Sequence, residues 1–139
     1  MENSNLENAT IQTRWVCVAG TRNYVNETEF RIELDKQLKD MGNIGIMSGG
    51  AKGTDEMAKR YAKNKNLPYM ELPANWEQHG RAAGPIRNEA MARLATAVIC
   101  FWDGESRGTL DMLTKARKFK VPYIWTFLYK HGARVIESV

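Results

Sequence analysis

The chain has 139 residues, 43% hydrophobic and 26% charged, with 20 Lys and Arg against 16 Asp and Glu for a net charge of +4. That is the size and make-up of a single globular domain, large enough to build a core without disulfide or metal staples, and it excludes collagen-like and wholly disordered chains. No apolar run approaches the ~20 residues that cross a bilayer, and MENSNLENAT lacks the basic start and apolar stretch of a secretory leader, so a cytoplasmic protein without membrane contact is expected.

Residues 1–12 read as a flexible polar tail, and 13–139 as one domain. RWVCVAG (14–20) is a short apolar run ending at glycine, a first strand. Phe30, Leu34, Leu38 and Met41 fall at helical spacing over 27–41, and Asn26 followed by Glu29 resembles a capping box. NIGIMSGG (43–50) is a second strand. Met57, Ala58, Tyr61 and Ala62 mark one face of a helix over 54–65, and LPYMELP (67–73) is a third strand between prolines. ANWEQHGRAAG (74–84) has no period and reads as a loop. Pro85 suits the first turn of a helix over 85–95, with Ile86, Ala90, Met91 and Leu94 as its apolar face. TAVICFW (96–102) is a fourth strand, 107–119 a helix with Leu113, Ala116 and Phe119 inward, and VPYIWTF (121–127) a fifth strand. The end of the chain adds a short strand at 133–137, and LYKHGARVIESV (128–139) either edges the sheet or pairs across an interface in a homodimer or higher oligomer.

Alternating strands and helices, with strands apolar throughout, predict a mainly parallel sheet of about five strands covered on both faces. This is a Rossmann-like three-layer α/β/α sandwich. Strands one, two and four run into glycine-bearing turns: AGTRNY (19–24), SGGAKGTD (48–55) and WDGESRGTLD (102–111). In a parallel sheet the carboxyl ends of all strands share one edge, where such folds bind ligands. The turns therefore nominate Gly20, Thr21 and Arg22; Ser48, Gly49, Gly50, Ala51, Gly53, Thr54 and Asp55; and Gly104, Ser106, Arg107, Gly108 and Thr109. Gly108 and Thr109 stand at a helix start, where free N–H groups and the helix dipole favour an anion. GGAKGT (49–54) offers a second cradle for phosphate. It is neither a Walker A loop, since its lysine precedes the glycine, nor GxGxxG.

In GPIRNEAM (84–91), Arg87 and Asn88 occupy a first helical turn. A cation there opposes the dipole, so Arg87 is either simply solvated or paired with an anion, a phosphate or Asp111. Trp76 and Trp102 lie near the same edge, as core residues or as stacking surfaces for a base. Cys17 and Cys100 sit in apolar runs outside any CxxC pair and read as buried, inert thiols. His79 and His131 are far apart with no acidic or thiol cluster between them, so no protein-built metal site and no cofactor are expected, beyond a magnesium carried in by a phosphate ligand. Lys115, Arg117, Lys118 and Lys120 gather late in a helix, where cations suit the dipole. With no zinc-finger, RNP or basic-zipper pattern, a nucleic-acid partner is not expected.

Taken together, AGTRNY, SGGAKGTD, LPANWEQHGRAAGPIRNEAM and FWDGESRGTLDM, in that order from Val16 to about Ile124, resemble the YspA-like family of the SLOG superfamily, named for Smf/DprA and Lonely Guy proteins. The resemblance implies a Rossmann-like fold holding a nucleotide or nucleotide-derived ligand, such as an ADP-ribose-like or cyclic nucleotide-type signal, in a glycine-lined crevice. In a sensor or sequestering protein, Gly49, Gly50, Gly108 and Thr109 would hold phosphate, Arg22 and Arg87 would neutralise charge, and Asp55 or Asn88 would meet ribose hydroxyls. Lonely Guy enzymes cleave a nucleoside monophosphate at the N-glycosidic bond with a PGGxGTxEE loop and an upstream arginine. Gly108-Thr109-Leu110-Asp111 is similar to GTxE with a shorter acid, and Arg87 with Met91 is similar to the arginine segment, which makes Arg87 and Asp111 the catalytic pair if the protein is such a hydrolase. Asp103-Gly104-Glu105-Ser106-Arg107 stands where PGGx would be, and Met112 replaces the second glutamate. A third implication is a DNA-binding relative of DprA.

Overall fold

The computed structural model describes residues 13–130 and 133–138, and the tail expected over 1–12 lies outside them. Six strands form one sheet: β1 (Arg14–Gly20), β2 (Ile44–Ser48), β3 (Tyr69–Glu71), β4 (Ala95–Trp102), β5 (Tyr123–Lys130) and β6 (Ala133–Ser138). Five helices accompany them: α1 (Glu27–Leu38), α2 (Thr54–Asn64), α3 (Trp76–His79), α4 (Ala83–Leu94) and α5 (Arg107–Lys118). The order across the sheet is β3-β2-β1-β4-β5-β6. The first five strands are parallel, and β6 returns antiparallel along β5, edging the sheet. The chain winds outward from β1 to β3, then crosses back to start β4 beside β1. Ligand crevices form outside the carboxyl ends of strands at such a reversal.

The strands are apolar on both sides because both sides are covered. Val16, Val18, Ile46, Ile99 and Phe101 meet Phe30 and Leu34 of α1 and Met57 and Tyr61 of α2. The intervening Cys17, Met47, Val98 and Cys100 meet Met91 of α4 and Met112, Leu113 and Ala116 of α5. Period-two alternation along each strand therefore places apolar side chains in both layers. Both thiols are buried in this way. Burial pushes Cys17 up to about 12 and Cys100 well above its ordinary value, which makes them inert.

Three local expectations needed correction. The segment 74–84 is not a plain loop. It holds the turn of helix α3 and a 3₁₀ turn at Gly80–Ala82, and α4 begins two residues before Pro85, which sits in the first turn where a missing N–H costs nothing. The inward face of α4 is Ala83, Asn88, Met91 and Ala92, whereas Ile86 and Leu94 are about half exposed. At α1, Asn26 accepts the Glu29 N–H at 3.1 Å as expected, but the Glu29 carboxylate accepts the Tyr24 hydroxyl instead of closing a capping box.

Candidate functional site

Where β1 and β4 part, a cavity of about 730 Å³ opens at the carboxyl edge of the sheet. One wall is the loop after β1, with Gly20, Thr21, Arg22 and Asn23. The floor carries Gly49, Ala51 and Asp55. The opposite wall is Arg87 and Asn88 from α4 and Ser106, Arg107, Gly108, Thr109 and Asp111 from α5. Residues from four chain segments thus meet at one rim.

The start of α5 is open toward this cavity. Asp103 Oδ1 accepts the Glu105 and Ser106 N–H groups at 2.9 and 2.8 Å, and these bonds outweigh burial in holding Asp103 below the usual carboxylate range. Ser106 caps the helix, though its Oγ is 3.5 Å from the Thr109 N–H. The next two amides, Arg107 and Gly108, have no acceptor among the described residues. A Cβ built on Gly108 would meet nothing within 4 Å outside its own helix and chain neighbours, so the first turn is open on that side. Two unpaired N–H groups at the positive end of a helix dipole form an anion seat. The Arg107 and Arg22 side chains flank it from the two walls, exposed and without an ion pair among the described residues.

The loop after β2 is built differently. Its Ala51 N–H donates to Asp55 Oδ2 at 3.0 Å, and its Gly53 N–H to Glu56 Oε1 at 3.4 Å. Two of the amides expected to cradle phosphate are thus engaged by the chain's own carboxylates. Gly49 lies against the Arg87 guanidinium, which a side chain there would have to displace. Gly53 has φ +73° with its Cα against the Arg22 carbonyl, where only glycine is at ease. Gly50 faces Glu71 in a smaller neighbouring cavity of about 300 Å³, which Ala51 and Asp55 also line. Asp55 is 8% exposed, and burial raises its pKa against the opposing pull of the Ala51 N–H and the Arg87 charge.

Arg87 and Asn88 tie the walls together. The Arg87 guanidinium donates to Gly49 O at 3.1 Å, to Leu72 O at 3.2 Å and to Asn88 Oδ1 at 3.0 Å. Asn88 Nδ2 in turn donates to Gly108 O at 3.3 Å and to Asp111 Oδ2 at 2.9 Å, and Lys115 Nζ holds Asp111 Oδ1 at 2.8 Å. The cation paired with Asp111 is therefore Lys115, one helical turn on, and not Arg87. Each oxygen of the acid considered for hydrolysis accepts one bond, and the Asn88 amide is engaged at both of its ends.

Other nominated residues fall outside the crevice walls and serve the fold. Ser48 is fully buried with its hydroxyl 2.6 Å from that of Tyr69, the buried Thr54 hydroxyl donates to Thr21 O at 3.0 Å, and Gly104 makes a turn at φ +83°. Trp102 packs into the core and donates its indole N–H to Ser106 O at 3.0 Å, whereas Trp76 is half exposed and lines the cavity. Asn23 and Pro85, which line the cavity, and Lys115, which holds Asp111, were not singled out for the site by the sequence. Of these Lys115 had a signal, its i,i+4 spacing from Asp111. Among the described residues no group of three His, Cys, Asp or Glu side chains could share a metal ion, and no helix is long and apolar enough to cross a membrane.

Strand order and crevice position define a doubly wound Rossmann-like α/β domain. More narrowly, the chain belongs to the YspA, cpYpsA-related SLOG family, whose model matches residues 14–79, from β1 through α3. It is 31% identical over 118 residues to the gene 61 protein of Mycobacterium phage D29, covering 80% of this chain and 94% of that protein. Its fold is similar to two solved structures of DNA processing protein A. For the Streptococcus pneumoniae protein the TM-score is 0.64 at 18% identity, over 82% of this chain and 50% of that one, so the chain spans half its length. For the Helicobacter pylori protein, described for its single-stranded DNA binding mode, the TM-score is 0.63 at 20% identity, over 87% of this chain and 68% of that one.

Proposed function

We propose that the chain binds a phosphate-bearing nucleotide or nucleotide-derived ligand in the β1/β4 crevice, as a sensor or sequestering protein. The observation that carries this reading is the pair of amides at Arg107 and Gly108, which find no acceptor among the described residues and line the cavity with the Arg22 and Arg107 side chains, themselves without an ion pair among those residues. Membership of a SLOG family supports the nucleotide chemistry. Phosphate sits on the start of α5, with Thr109 and Ser106 hydroxyls at hand and the two arginines neutralising charge. The Gly49-Gly50 loop serves as floor, since its Ala51 and Gly53 amides are already bonded. Any divalent cation travels with the phosphates and takes no ligand set from the chain.

Calorimetric titration with nucleoside mono- and diphosphates and ADP-ribose, followed by chromatography of the recovered ligand, tests it. Saturable binding with the ligand recovered intact is expected. No binding across the panel overturns the proposal, and release of free base replaces sequestration with N-glycosidic hydrolysis. A single-stranded oligodeoxynucleotide that binds more tightly than every nucleotide, with affinity collapsing as salt rises, makes the crevice a DNA site instead.

A further inference from the structure

We infer that Asp55 is the specificity-determining residue of this crevice, accepting hydrogen bonds from the ligand's ribose hydroxyls, so that the site prefers ribonucleotides to their deoxy counterparts. This rests on the nucleotide reading above.

The sequence reading named two polar side chains of the crevice, Asp55 and Asn88, to meet a sugar, and the structure separates them. Asn88 has both of its N–H donors spent on Gly108 O and Asp111, and its oxygen already accepts from Arg87. Asp55 is less engaged. A carboxylate has about four acceptor sites; here the Ala51 N–H donates to Oδ2 at 3.0 Å and the Gly49 N–H to the same carboxylate, which leaves sites open. Although 92% of the residue is covered, it lines both the main cavity and the smaller one beside it. It stands at the junction of the two spaces with acceptor capacity to spare.

The charge layout fixes what can dock there. Arg22 after β1 and Arg107 at the start of α5 bring unpaired positive charge to the cavity walls, and Asp55 stands at the first turn of α2 with the Arg87 guanidinium already acting on it. An anionic ligand must turn its phosphate to Arg22 and Arg107, because a second negative charge beside a buried carboxylate is repelled. What meets Asp55 must be a neutral donor. In a nucleotide the sugar is one ester bond from the phosphate, and its vicinal hydroxyls suit the two oxygens of one carboxylate. Arg87, held on Gly49 O and Leu72 O, supplies compensating charge to Asp55.

The same placement bears on the DNA-binding fold neighbours. A deoxyribose offers Asp55 one donor fewer, and each further phosphate of a strand passing the carboxylate is repelled by it.

The test is calorimetric titration with ADP, 2′-deoxy-ADP, 3′-deoxy-ADP and inorganic pyrophosphate, on the wild type and on Asp55→Asn and Asp55→Ala. In the wild type, ADP should bind about tenfold or more tightly than at least one deoxy analogue, the loss expected for a hydrogen bond to a charged acceptor. In both variants that ratio should fall toward one while pyrophosphate affinity holds or improves. The wild-type ratio needs no variant to fold. Equal affinity for ADP and both deoxy analogues overturns the inference and leaves the nucleotide reading standing, as does a ratio unchanged in a folded Asp55→Ala protein. Failure of all four ligands to bind overturns both.

Discussion

The loops after β2 and after β4 look alike in sequence: each is glycine-rich, carries a basic residue and leads to a helix beginning Thr-Asp or Arg-Gly-Thr. In the fold they differ. SGGAKGTD turns two of its amides onto its own carboxylates, Ala51 onto Asp55 and Gly53 onto Glu56, and side chains or backbone of the chain stand where its glycines lack a Cβ. DGESRGT satisfies its outer amides with Asp103 but leaves those of Arg107 and Gly108 unclaimed beside an empty approach. A glycine required by the fold is one whose missing Cβ is already replaced by something. A glycine available to a ligand is one whose missing Cβ faces nothing. The distinction lies in the neighbours, so composition cannot reveal it.

The same substitution made in each loop should therefore have opposite consequences. Gly53→Ala drives a methyl into the Arg22 carbonyl at a φ of +73°, and neither the backbone it meets nor the dihedral can yield cheaply. A loss of about 2–4 kcal/mol in urea unfolding is expected. Gly108→Ala meets open space within the first turn of α5 and should leave stability unchanged or raise it by up to about 1 kcal/mol. Gly108→Leu should spare the fold likewise while cutting nucleotide affinity at least tenfold, because the side chain stands over the free amides. If Gly108→Leu binds nucleotide as the wild type does, the two loops are not distinguished by ligand access.

Arg22→Ala and Arg107→Ala sharpen the comparison on its electrostatic side. Neither side chain has a protein partner among the described residues, so melting temperature should not move. Each should weaken nucleotide binding about tenfold in dilute buffer, with a smaller effect as salt screens the charge. Lys52→Ala, in the loop whose Ala51 and Gly53 amides are engaged, should change affinity less than either.

Much of this architecture was legible because both faces of the sheet are covered. Continuous runs such as WVCVAG and TAVICFW have no other place in a domain of this size. The parallel order then brought separated turns to one edge, and Gly20, Arg22, Gly49, Arg87 and Gly108 do meet there. What escaped depends on partners distant in the chain. Ile86, Ala90 and Leu94 form a correct helical stripe, yet Arg87 and Asn88, bonded to Gly49, Leu72, Gly108 and Asp111, rotate the other side of α4 inward. Hydrophobic spacing alone cannot anticipate a helix oriented by its polar residues. Asp55 likewise reads as a first-turn acid of α2, and nothing local shows that its carboxylate reaches back to Ala51. The third strand shrank to Tyr69–Glu71 because an edge strand pairs on one side alone, with β2.

The smallest expected effect is also the most specific to the closed loop. Burial raises the Asp55 pKa above its ordinary value of 3.8, with the Ala51 N–H and Arg87 opposing it incompletely. The folded protein therefore holds this proton more tightly than the unfolded chain does. Stability from this group is present in full below 3.8 and is lost as pH rises through the raised folded value, so at neutral pH the ionised carboxylate is a net liability. Asp55→Asn keeps an oxygen to accept the Ala51 N–H and removes the buried charge. It should be at least as stable as the wild type at pH 7, and its advantage should shrink as pH falls toward 4, read from urea unfolding at matched pH. An Asp55→Asn protein destabilised at pH 7, with the gap closing toward pH 4, would mean that the loop amides and Arg87 hold the anion more strongly than burial disfavours it. The β2 loop would then be a formed anion seat after all, occupied by the chain's own carboxylate, and the contrast with the start of α5 would be one of occupancy alone.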